Sequence, residues 1–367
     1  MKILCSKDNL MHGVNVVQRA VSSKNPLPIL SGILFRTEEN QLILTATDLE
    51  IGIECRIPVT VVQPGSIVLP AKYVTELVRK LPDTKIEVVT DAENLVASIK
   101  YGQSQLEIKG LPAEEYPLLP DIESSNKIQI VGDIFKNMIR QVGFATSTDA
   151  NRPIFTGVLI ELADNQISMV ATNTHRLTWA QRNAVYTGSE KSTIIVPVKT
   201  LNEVSKLIGD DEELTIYITS NQVLFQIKDI RVISRLIDGQ FPNYHQVIPQ
   251  GYKTRIRIKT SELANSADRA ALMAREGSNI IKLSIQGHVM EITSNSPDFG
   301  KIHEELPILL EGEETQIAFN SKYLLDVLKI IDTEEIFMDL TGSLSPGIIR
   351  PADTDNYLCL ILPLRTV

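Results

Sequence analysis

Three stretches of the sequence follow the same local pattern, and their spacing limits what the chain can fold into. In each stretch an apolar run typical of a strand ends at a turn, and a short helical pattern begins with lysine in its first turn. The lysines are Lys72, Lys199 and Lys322, so the copies lie 127 and 123 residues apart. This spacing exceeds that of solenoid repeats and is typical of a whole domain. The sequence therefore predicts one domain repeated three times.

Each copy combines two helical patterns with roughly eight short strands. Tyr116 of the first copy corresponds to Phe241 of the second at an offset of 125 residues. Because amphipathic helices cover one face of antiparallel sheets built from short strands, we predict an α+β fold. The predicted domains are residues 1–124, 125–250 and 251–367.

The composition is typical of a cytoplasmic protein. Hydrophobic residues make up 43% of the 367 residues, which is enough for two or three ordinary cores. No apolar run approaches the roughly 20 residues of a membrane span, and the N-terminus lacks a signal pattern, so we expect no membrane partner. Cys5, Cys55 and Cys359 lack metal-ligand spacing and lie in strand-like runs, where buried thiols are expected.

The charge is distributed unevenly along the chain. The net charge of −9 by itself argues against binding to nucleic acid. The six predicted helical stretches, however, together carry eight more basic than acidic residues, so the remainder carries seventeen more acidic than basic ones. One such stretch would mean little, because surface helices often carry lysine. The shared sign of all six predicts a basic face, against which a polyanionic rod could lie.

The sequence contains no recognisable catalytic or metal-binding pattern. His175 beside Arg176 is accompanied by none of the common nucleophile, phosphate-loop or zinc motifs, and the five histidines are scattered. We therefore predict a non-catalytic protein without metal or cofactor. Two alternatives stay open: a three-domain scaffold that binds peptides but neither DNA nor a second copy, and a hydrolase with an unrecognised site.

Three motifs carry a family resemblance that extends over essentially the whole chain. They are residues 171–177 (ATNTHRL), 238–244 (DGQFPNY) and 362–365 (LPLR). With these motifs the chain closely resembles the bacterial DNA polymerase III beta subunit family, the sliding clamps. The resemblance implies a head-to-tail homodimer whose six domains form a ring, with twelve helices lining a hole for double-stranded DNA. It also implies that the ring tethers the DNA polymerase III catalytic subunit, the clamp loader complex and other proteins with a clamp-binding motif.

A sliding ring must attract phosphates without reading bases, and lysine on a mobile stem suits that purpose. The residues that we predict to contact DNA are basic and lie mostly on or beside the helical stretches. They are Lys24, Lys72, Arg79, Lys80, Arg152, Lys199, Lys206, Arg269, Arg275 and Lys322. Each one alone is equally consistent with ordinary solvated surface.

The resemblance also implies a groove that accepts a short linear peptide from the partners. Its predicted residues are Phe155, Thr172, His175, Arg176, Leu177, Pro242, Val247, Leu360, Leu362, Pro363 and Leu364. His175 and Arg176 are expected to offer polar groups at the rim, and Leu177 belongs to the apolar floor. The alternative for His175 is a hydrogen-bonded residue at the end of a strand.

Two departures from the family pattern affect this groove. Sliding clamps often carry Asp-Gly where this chain has Asn173 and Thr174, and threonine disfavours a positive φ, so we expect a different turn. Gln246 replaces an arginine of some clamps, which predicts weaker contact with acidic residues of a partner peptide.

The subunit contact is predicted at an edge strand. Residues 103–109 alternate between apolar and polar, and edge strands tend to pair with other chains. The predicted contact residues on this strand are Leu106 and Ile108. The resemblance to the sliding clamps implies that Leu272 and Met273 form the other side of the contact, opposite Leu106. The alternative for Leu272 and Met273 is burial in the domain core.

Overall fold

The computed structural model describes residues 1–22, 27–91, 93–122, 124, 126–188, 191–209 and 211–365. Its contacts divide the chain into two compact units. The first unit comprises Met1–Asp133, Val185–Ser189 and Lys199–Leu236. The second comprises Ile134–Ala184, Glu190–Val198 and Ile237–Val367. Among the described residues, no helix combines the length and the apolar character needed to span a membrane.

The described residues form 27 strands and six α-helices, nine strands and two helices in each third of the chain. The first strands are β1 (Lys2–Ser6), β2 (Gly32–Glu38), β3 (Gln41–Thr47), β4 (Ile51–Pro58), β5 (Thr60–Gln63), β6 (Ser66–Pro70), β7 (Lys85–Asp91), β8 (Val96–Tyr101) and β9 (Ser104–Lys109). The middle strands are β10 (Lys127–Val131), β11 (Gly157–Ala163), β12 (Gln166–Thr172), β13 (Arg176–Asn183), β14 (Val185–Tyr186), β15 (Ser192–Pro197), β16 (Glu213–Ile218), β17 (Gln222–Ile227) and β18 (Ile230–Arg235). The last strands are β19 (Thr254–Lys259), β20 (Ile280–Gln286), β21 (Val289–Ser296), β22 (Gly300–Pro307), β23 (Leu309–Gly312), β24 (Thr315–Asn320), β25 (Glu335–Leu340), β26 (Gly347–Pro351) and β27 (Tyr357–Ile361). The helices are α1 (Lys7–Val17), α2 (Ala71–Lys80), α3 (Gly132–Gly143), α4 (Val198–Leu207), α5 (Thr260–Arg275) and α6 (Ser321–Leu328).

The first unit contains two antiparallel sheets. Five strands pair in the order β5-β1-β7-β8-β9, and nine pair in the order β14-β10-β16-β17-β18-β4-β3-β2-β6. The larger sheet joins distant parts of the chain, because β18 pairs with β4 from Ile230 opposite Cys55 to Ser234 opposite Ile51. Helix α1 packs against β3 and β4, and its Leu10 side chain is fully buried.

The second unit repeats this arrangement. Nine strands pair in the order β15-β11-β12-β13-β27-β26-β25-β19-β23, and four in the order β22-β21-β20-β24. Strand β27, near the C-terminus, is held beside β13, with Leu177 opposite Leu360. Helix α5 packs on β20, β21 and β22 as well as on α6. The α+β character and the antiparallel sheets predicted from the sequence are confirmed.

The three repeated stretches have the predicted structure. Strands β6, β15 and β24 each lead directly into a helix, and Lys72, Lys199 and Lys322 occupy the second position of α2, α4 and α6. Before α6, the Asn320 side chain caps the helix by accepting the N–H groups of Lys322 and Tyr323 at 3.0 and 3.3 Å. The same local order therefore recurs in all three parts of the chain.

The three cysteines are buried, as their apolar surroundings in the sequence predict. Burial raises the pKa of the Cys5 thiol to about 11 and that of Cys359 to about 12. Burial, followed by the charges of Asp229 and Glu54, raises the pKa of Cys55 to about 12. All three thiols therefore stay protonated at neutral pH and act as small apolar side chains.

Candidate functional site

The turn between β12 and β13 positions the first part of the predicted groove. The Asn173 side-chain oxygen accepts the N–H groups of His175 and Arg176 at 3.1 and 3.0 Å. The Thr172 hydroxyl donates to the Arg176 carbonyl at 2.7 Å and accepts the Thr174 N–H at 3.0 Å. These side chains hold the turn because Asn and Thr can replace backbone partners within two to four residues.

Thr174 adopts a φ of 75°, so the expectation that threonine avoids a positive φ at this position is wrong. The first unit has the same turn, with Leu49 at a φ of 78°. There the Asp48 carboxylate accepts the N–H groups of Glu50 and Ile51 at 3.0 and 2.9 Å. The side-chain hydrogen bonds impose the geometry, and the bulky residue in the left-handed region carries the resulting strain.

Replacing Thr174 by glycine should stabilise the chain. Relief of about 1–3 kcal/mol of backbone strain exceeds the roughly 0.5–1 kcal/mol lost to the greater freedom of glycine in the unfolded chain. We expect the midpoint of thermal unfolding, measured by circular dichroism, to rise by about 2–4 °C. Thr174→Ala, which keeps Cβ, should gain less, and Leu49→Gly should shift the midpoint in the same direction. A lower midpoint for Thr174→Gly would show that the turn is unstrained.

Arg176 does not offer its charge at a rim, and that part of the prediction is wrong. Its side chain is only 6% exposed, because the guanidinium lies over the rings of Phe144 and Tyr323, 5.0 and 4.7 Å from their centroids. It donates to the Asp326 carboxylate at 2.6 Å and to the Phe144 carbonyl. Arg176 therefore fastens the turn to α6, and a peptide in the groove would meet its backbone rather than its charge.

His175 lies on the exposed side of the same turn. Its ring stacks on the Tyr323 ring with the centroids 6.4 Å apart. Its carbonyl accepts the N–H of Leu362 at 2.9 Å, which anchors the C-terminal segment to the turn. His175 was interpreted either as a polar residue at the groove rim or as a hydrogen-bonded residue at a strand end. The structure combines the two, because its backbone is hydrogen-bonded beside β13 while its side chain remains accessible.

An apolar cluster forms the base of the site. Leu177 and Leu360 face each other across β13 and β27 and are nearly fully buried. The other buried members are Leu159, Val170, Ile195 and Tyr244, and Ile154, Trp179, Ile237, Phe241 and Ile248 pack around them. Two predicted groove residues that lie close in sequence to cluster members are exposed: Val247, next to Ile248, is 50% accessible, and Leu362, two residues after Leu360, is 39% accessible. An apolar surface therefore continues from the core to solvent.

The remaining predicted groove residues lie around this cluster. Phe155 packs edge-on against Phe241, with the ring centroids 6.2 Å apart. Pro242 follows Phe241 and is exposed, and Pro363 is half-buried. The Leu364 N–H donates to the Ala318 carbonyl on β24 at 2.8 Å. The C-terminal segment is thus tied down at Leu362 and at Leu364, on either side of a proline that has no N–H to donate.

Several contributors to the site were not predicted from the sequence. Tyr244 donates a 2.6 Å hydrogen bond to Glu161, and burial followed by this contact raises the pKa of Tyr244. Burial opposes the charged form of Glu161, but hydrogen bonds from Lys191 and Tyr244 outweigh it and lower the pKa of that carboxyl group. Tyr244 belongs to the family motif at residues 238–244, so the sequence did contain a feature that pointed to it. Tyr323 and Asp326 had no signal beyond helical spacing.

The predicted DNA-contacting residues are mostly exposed cations. Lys24 lies outside the described residues. Within the described part of the chain, Lys72, Lys80, Arg275 and Lys322 are exposed and make no ion pair. Lys199 pairs with Asp48 at 2.8 Å, yet 68% of its side chain is accessible.

Three further candidates have local partners. Lys206 pairs with Glu203 at 2.7 Å on α4. Arg152 pairs with Asp149 at 2.9 Å and lies 5.6 Å from the Phe155 ring centroid, in the loop before β11 rather than on a helix. Arg79 makes a long 3.5 Å contact with Asn15. Exposed pairs of this kind contribute little, so these cations stay available to phosphates.

Comparison with known proteins identifies the family. The N-terminal domain of the DNA polymerase III beta subunit matches residues 1–120, the central domain matches 129–243, and the C-terminal domain matches 245–365. The chain belongs to this family. Its beta sliding clamp relatives include those of Bacillus subtilis, 40% identical, and Staphylococcus epidermidis, 37% identical, each covering 100% of both chains. The crystal structure of the Bacillus subtilis DNA polymerase sliding clamp matches with a TM-score of 0.97 at 40% identity over 100% of both chains.

This beta-subunit chain therefore has the three-domain sliding-clamp fold. Strand β9 is one of the two end strands of the five-stranded sheet in the first unit, and β22 is one of the two end strands of the four-stranded sheet in the second. Leu106 and Ile108 on β9 are half-buried between exposed neighbours, which is the predicted alternation. On α5, Leu272 is 56% exposed and Met273 is half-buried, so the core alternative is wrong for Leu272.

Arg269 differs from the other basic candidates of this beta-subunit chain. Its guanidinium donates two hydrogen bonds to Glu304 on the edge strand β22, with Nε 2.6 Å from Oε1. These hydrogen bonds are the largest cause of the lowered pKa of Glu304. Arg269 also lies three residues before Leu272 on α5, on the same side of the helix. Its contact with DNA stays a prediction, but its charge is already balanced at the strand edge.

Proposed function

We propose that the protein is a DNA sliding clamp. Two copies associate head to tail, close a ring around double-stranded DNA, and tether the replicative polymerase so that synthesis is processive. The observation that carries this proposal is the match over the full length to proteins named beta sliding clamp, with every domain in the same order. The repeating units of the ring are residues 1–124, 125–250 and 251–367.

The role requires neither catalysis nor a cofactor. A clamp holds its partner by enclosing DNA, so its chemistry consists of weak, sequence-independent attraction to phosphates. Lys72, Lys199 and Lys322 support this, because they occupy equivalent first-turn positions on three helices and have exposed side chains. The protein would act in the cytoplasm, in contact with the chromosome.

The apolar cluster beside the C-terminal segment supports peptide binding. Its exposed edge at Val247 and Leu362 is suited to the large apolar side chains of a short linear motif, which supply most of the energy in such sites. The partners would be the DNA polymerase III catalytic subunit, the clamp loader complex and other proteins that carry a clamp-binding motif. Competition between them for one groove follows from this arrangement.

The shape of the particle tests the proposal directly. Electron microscopy of the purified protein should show a dimer with a central hole wide enough for duplex DNA. A monomer that binds partner peptides but no DNA would instead favour the scaffold alternative. Hydrolytic activity of the isolated chain would favour the enzyme alternative.

The dimer should depend on the exposed apolar residues of α5. Replacing Leu272 and Met273 together by alanine removes two anchors, each worth roughly 2–5 kcal/mol if the partner buries it fully. Analytical ultracentrifugation should then show folded monomers at concentrations where the parent is dimeric. Leu344→Ala, at another exposed leucine that is 67% accessible, is the control and should stay dimeric. A dimeric double variant would place the interface elsewhere.

A further inference from the structure

A basic cavity of about 920 Å³ lies in the second unit, at one end of the four-stranded sheet. The basic residues of its lining come from two strands and from the C-terminal segment. They are Lys282, Lys301, His303 and Arg365. The polar residues Ser278, Thr293 and Asn295 complete this part of the lining.

Strand register explains why these basic residues are neighbours. Thr293 on β21 faces Lys282 on β20 and His303 on β22, and the next outward-facing pair joins Asn295 to Lys301. Adjacent strands lie about 4.8 Å apart, and alternate residues point to the same face. The sheet therefore presents two lysines and a histidine around a polar centre.

Three basic side chains of the cavity have no acidic partner in the described part of the chain. Lys282, Lys301 and Arg365 are exposed and make no ion pair within the described residues, and no described residue of the lining carries a carboxylate. Glu291 and Glu305 lie beside His303, each with a carboxylate oxygen within 4.8 Å of a ring nitrogen of that residue. On a chain with a net charge of −9, such a cluster favours an anionic ligand.

The C-terminal segment connects this cavity to the apolar groove. Leu362 is bonded to the turn at His175, and Leu364 is bonded to Ala318, which lies opposite Lys282 in the sheet. Arg365, the next residue, lines the cavity. Three residues span at most about 10 Å, so one extended peptide can reach both places.

We propose that this cavity binds acidic side chains that flank the apolar anchor of a partner peptide. The inference rests on the proposed peptide groove and extends it with a charged subsite. A peptide is favoured over duplex DNA because the cavity adjoins the groove through the C-terminal segment, whereas the repeated lysines lie on α2, α4 and α6.

The test compares three synthetic peptides by fluorescence anisotropy on the full-length protein. The first contains glutamine followed by three large apolar residues. The second peptide adds three glutamates before that sequence, and the third adds three glutamates after it. We expect one extension to tighten binding about three- to tenfold at low salt, because exposed charge pairs add only modestly to affinity. The gain should shrink as salt is added, since the screening length falls to about 8 Å at 0.15 M.

The gain should depend on the two lysines of the sheet. In the double variant Lys282→Gln, Lys301→Gln, the affinity for the extended peptide should fall to that for the short peptide. The affinity for the short peptide should not change. The matched control is Lys253→Gln with Lys329→Gln, which alters two exposed lysines of the same unit outside the cavity and should keep the gain.

The outcomes separate the two proposals. If the short peptide binds but neither extension improves it, or the gain survives in the cavity variant, the acidic subsite is wrong and the groove stands. If the short peptide does not bind, both proposals fail. If the cavity variant instead loses affinity for a duplex oligonucleotide while the peptide gain is intact, the cavity is a DNA contact and the inference is overturned.

Discussion

On a closed DNA circle, the protein placed there by a clamp loader will remain at salt concentrations that abolish its direct binding, and it will leave when the circle is cut. Six to ten phosphate contacts weaken by about 10³–10⁵ between 50 and 200 mM salt, but enclosure does not depend on them. Gel filtration before and after cleavage by a single-site endonuclease measures the retained fraction. We expect cleavage to lower it at least about tenfold.

Two controls separate enclosure from affinity. Linear DNA with a bulky protein bound at both ends should retain the ring, because sliding off is then blocked. The Leu272→Ala, Met273→Ala variant should not be retained even on the circle, since monomers cannot close. Equal retention on circular and unblocked linear DNA would contradict the ring and would indicate direct binding.

Removal of residues 363–367 will weaken binding of a partner peptide by at least about thirtyfold, the effect of losing roughly 2 kcal/mol from a central contact. The deletion removes Leu364, whose N–H bond to Ala318 ties down the end of the segment. A chain end without such contacts frays, so Leu362 would lose its place beside the turn. Calorimetry with a glutamine-led apolar peptide provides the measurement. Loading onto DNA and stimulation of the polymerase should be lost together, because both partners use one groove.

Smaller changes show whether the groove itself is responsible. A chain ending at Arg365 keeps the Leu364 bond and should bind nearly as well as the parent. Leu362→Ala removes an exposed side chain without disturbing the core and should weaken the peptide in the same direction as the deletion. Both the deletion and Leu362→Ala should remain dimeric in sedimentation, since the proposed interface lies on β9 and α5. Unchanged peptide affinity in the truncated chain would exclude this groove.

The turn at residues 172–176 shows how far residue type alone can be interpreted. Threonine at position 174 argued for a different backbone, yet the side chains of Thr172 and Asn173 impose a positive φ through hydrogen bonds. Arginine at position 176 argued for an accessible charge, yet two aromatic rings and Asp326 bury it. In both cases neighbouring groups outweighed an intrinsic preference of about 1–3 kcal/mol.

The sequence by itself determined the threefold repeat, the α+β class and the position of each first-turn lysine. Periodic burial and turn residues are local properties, so a strand followed by a helix can be recognised from a few adjacent residues. The edge strand β9 was predictable for the same reason, because apolar and polar residues alternate within its six residues. The family motifs then indicated the groove.

Only the tertiary structure decided which distant segments meet. The pairing of β18 with β4 and of β13 with β27 joins parts of the chain more than 170 residues apart, and local patterns do not encode partners at that distance. The same holds for the burial of Arg176 and for the cluster of Lys282, Lys301 and Arg365. Whether a charge is neutralised, buried or left free depends on side chains brought together by folding, because electrostatic energies vary steeply with distance and exposure.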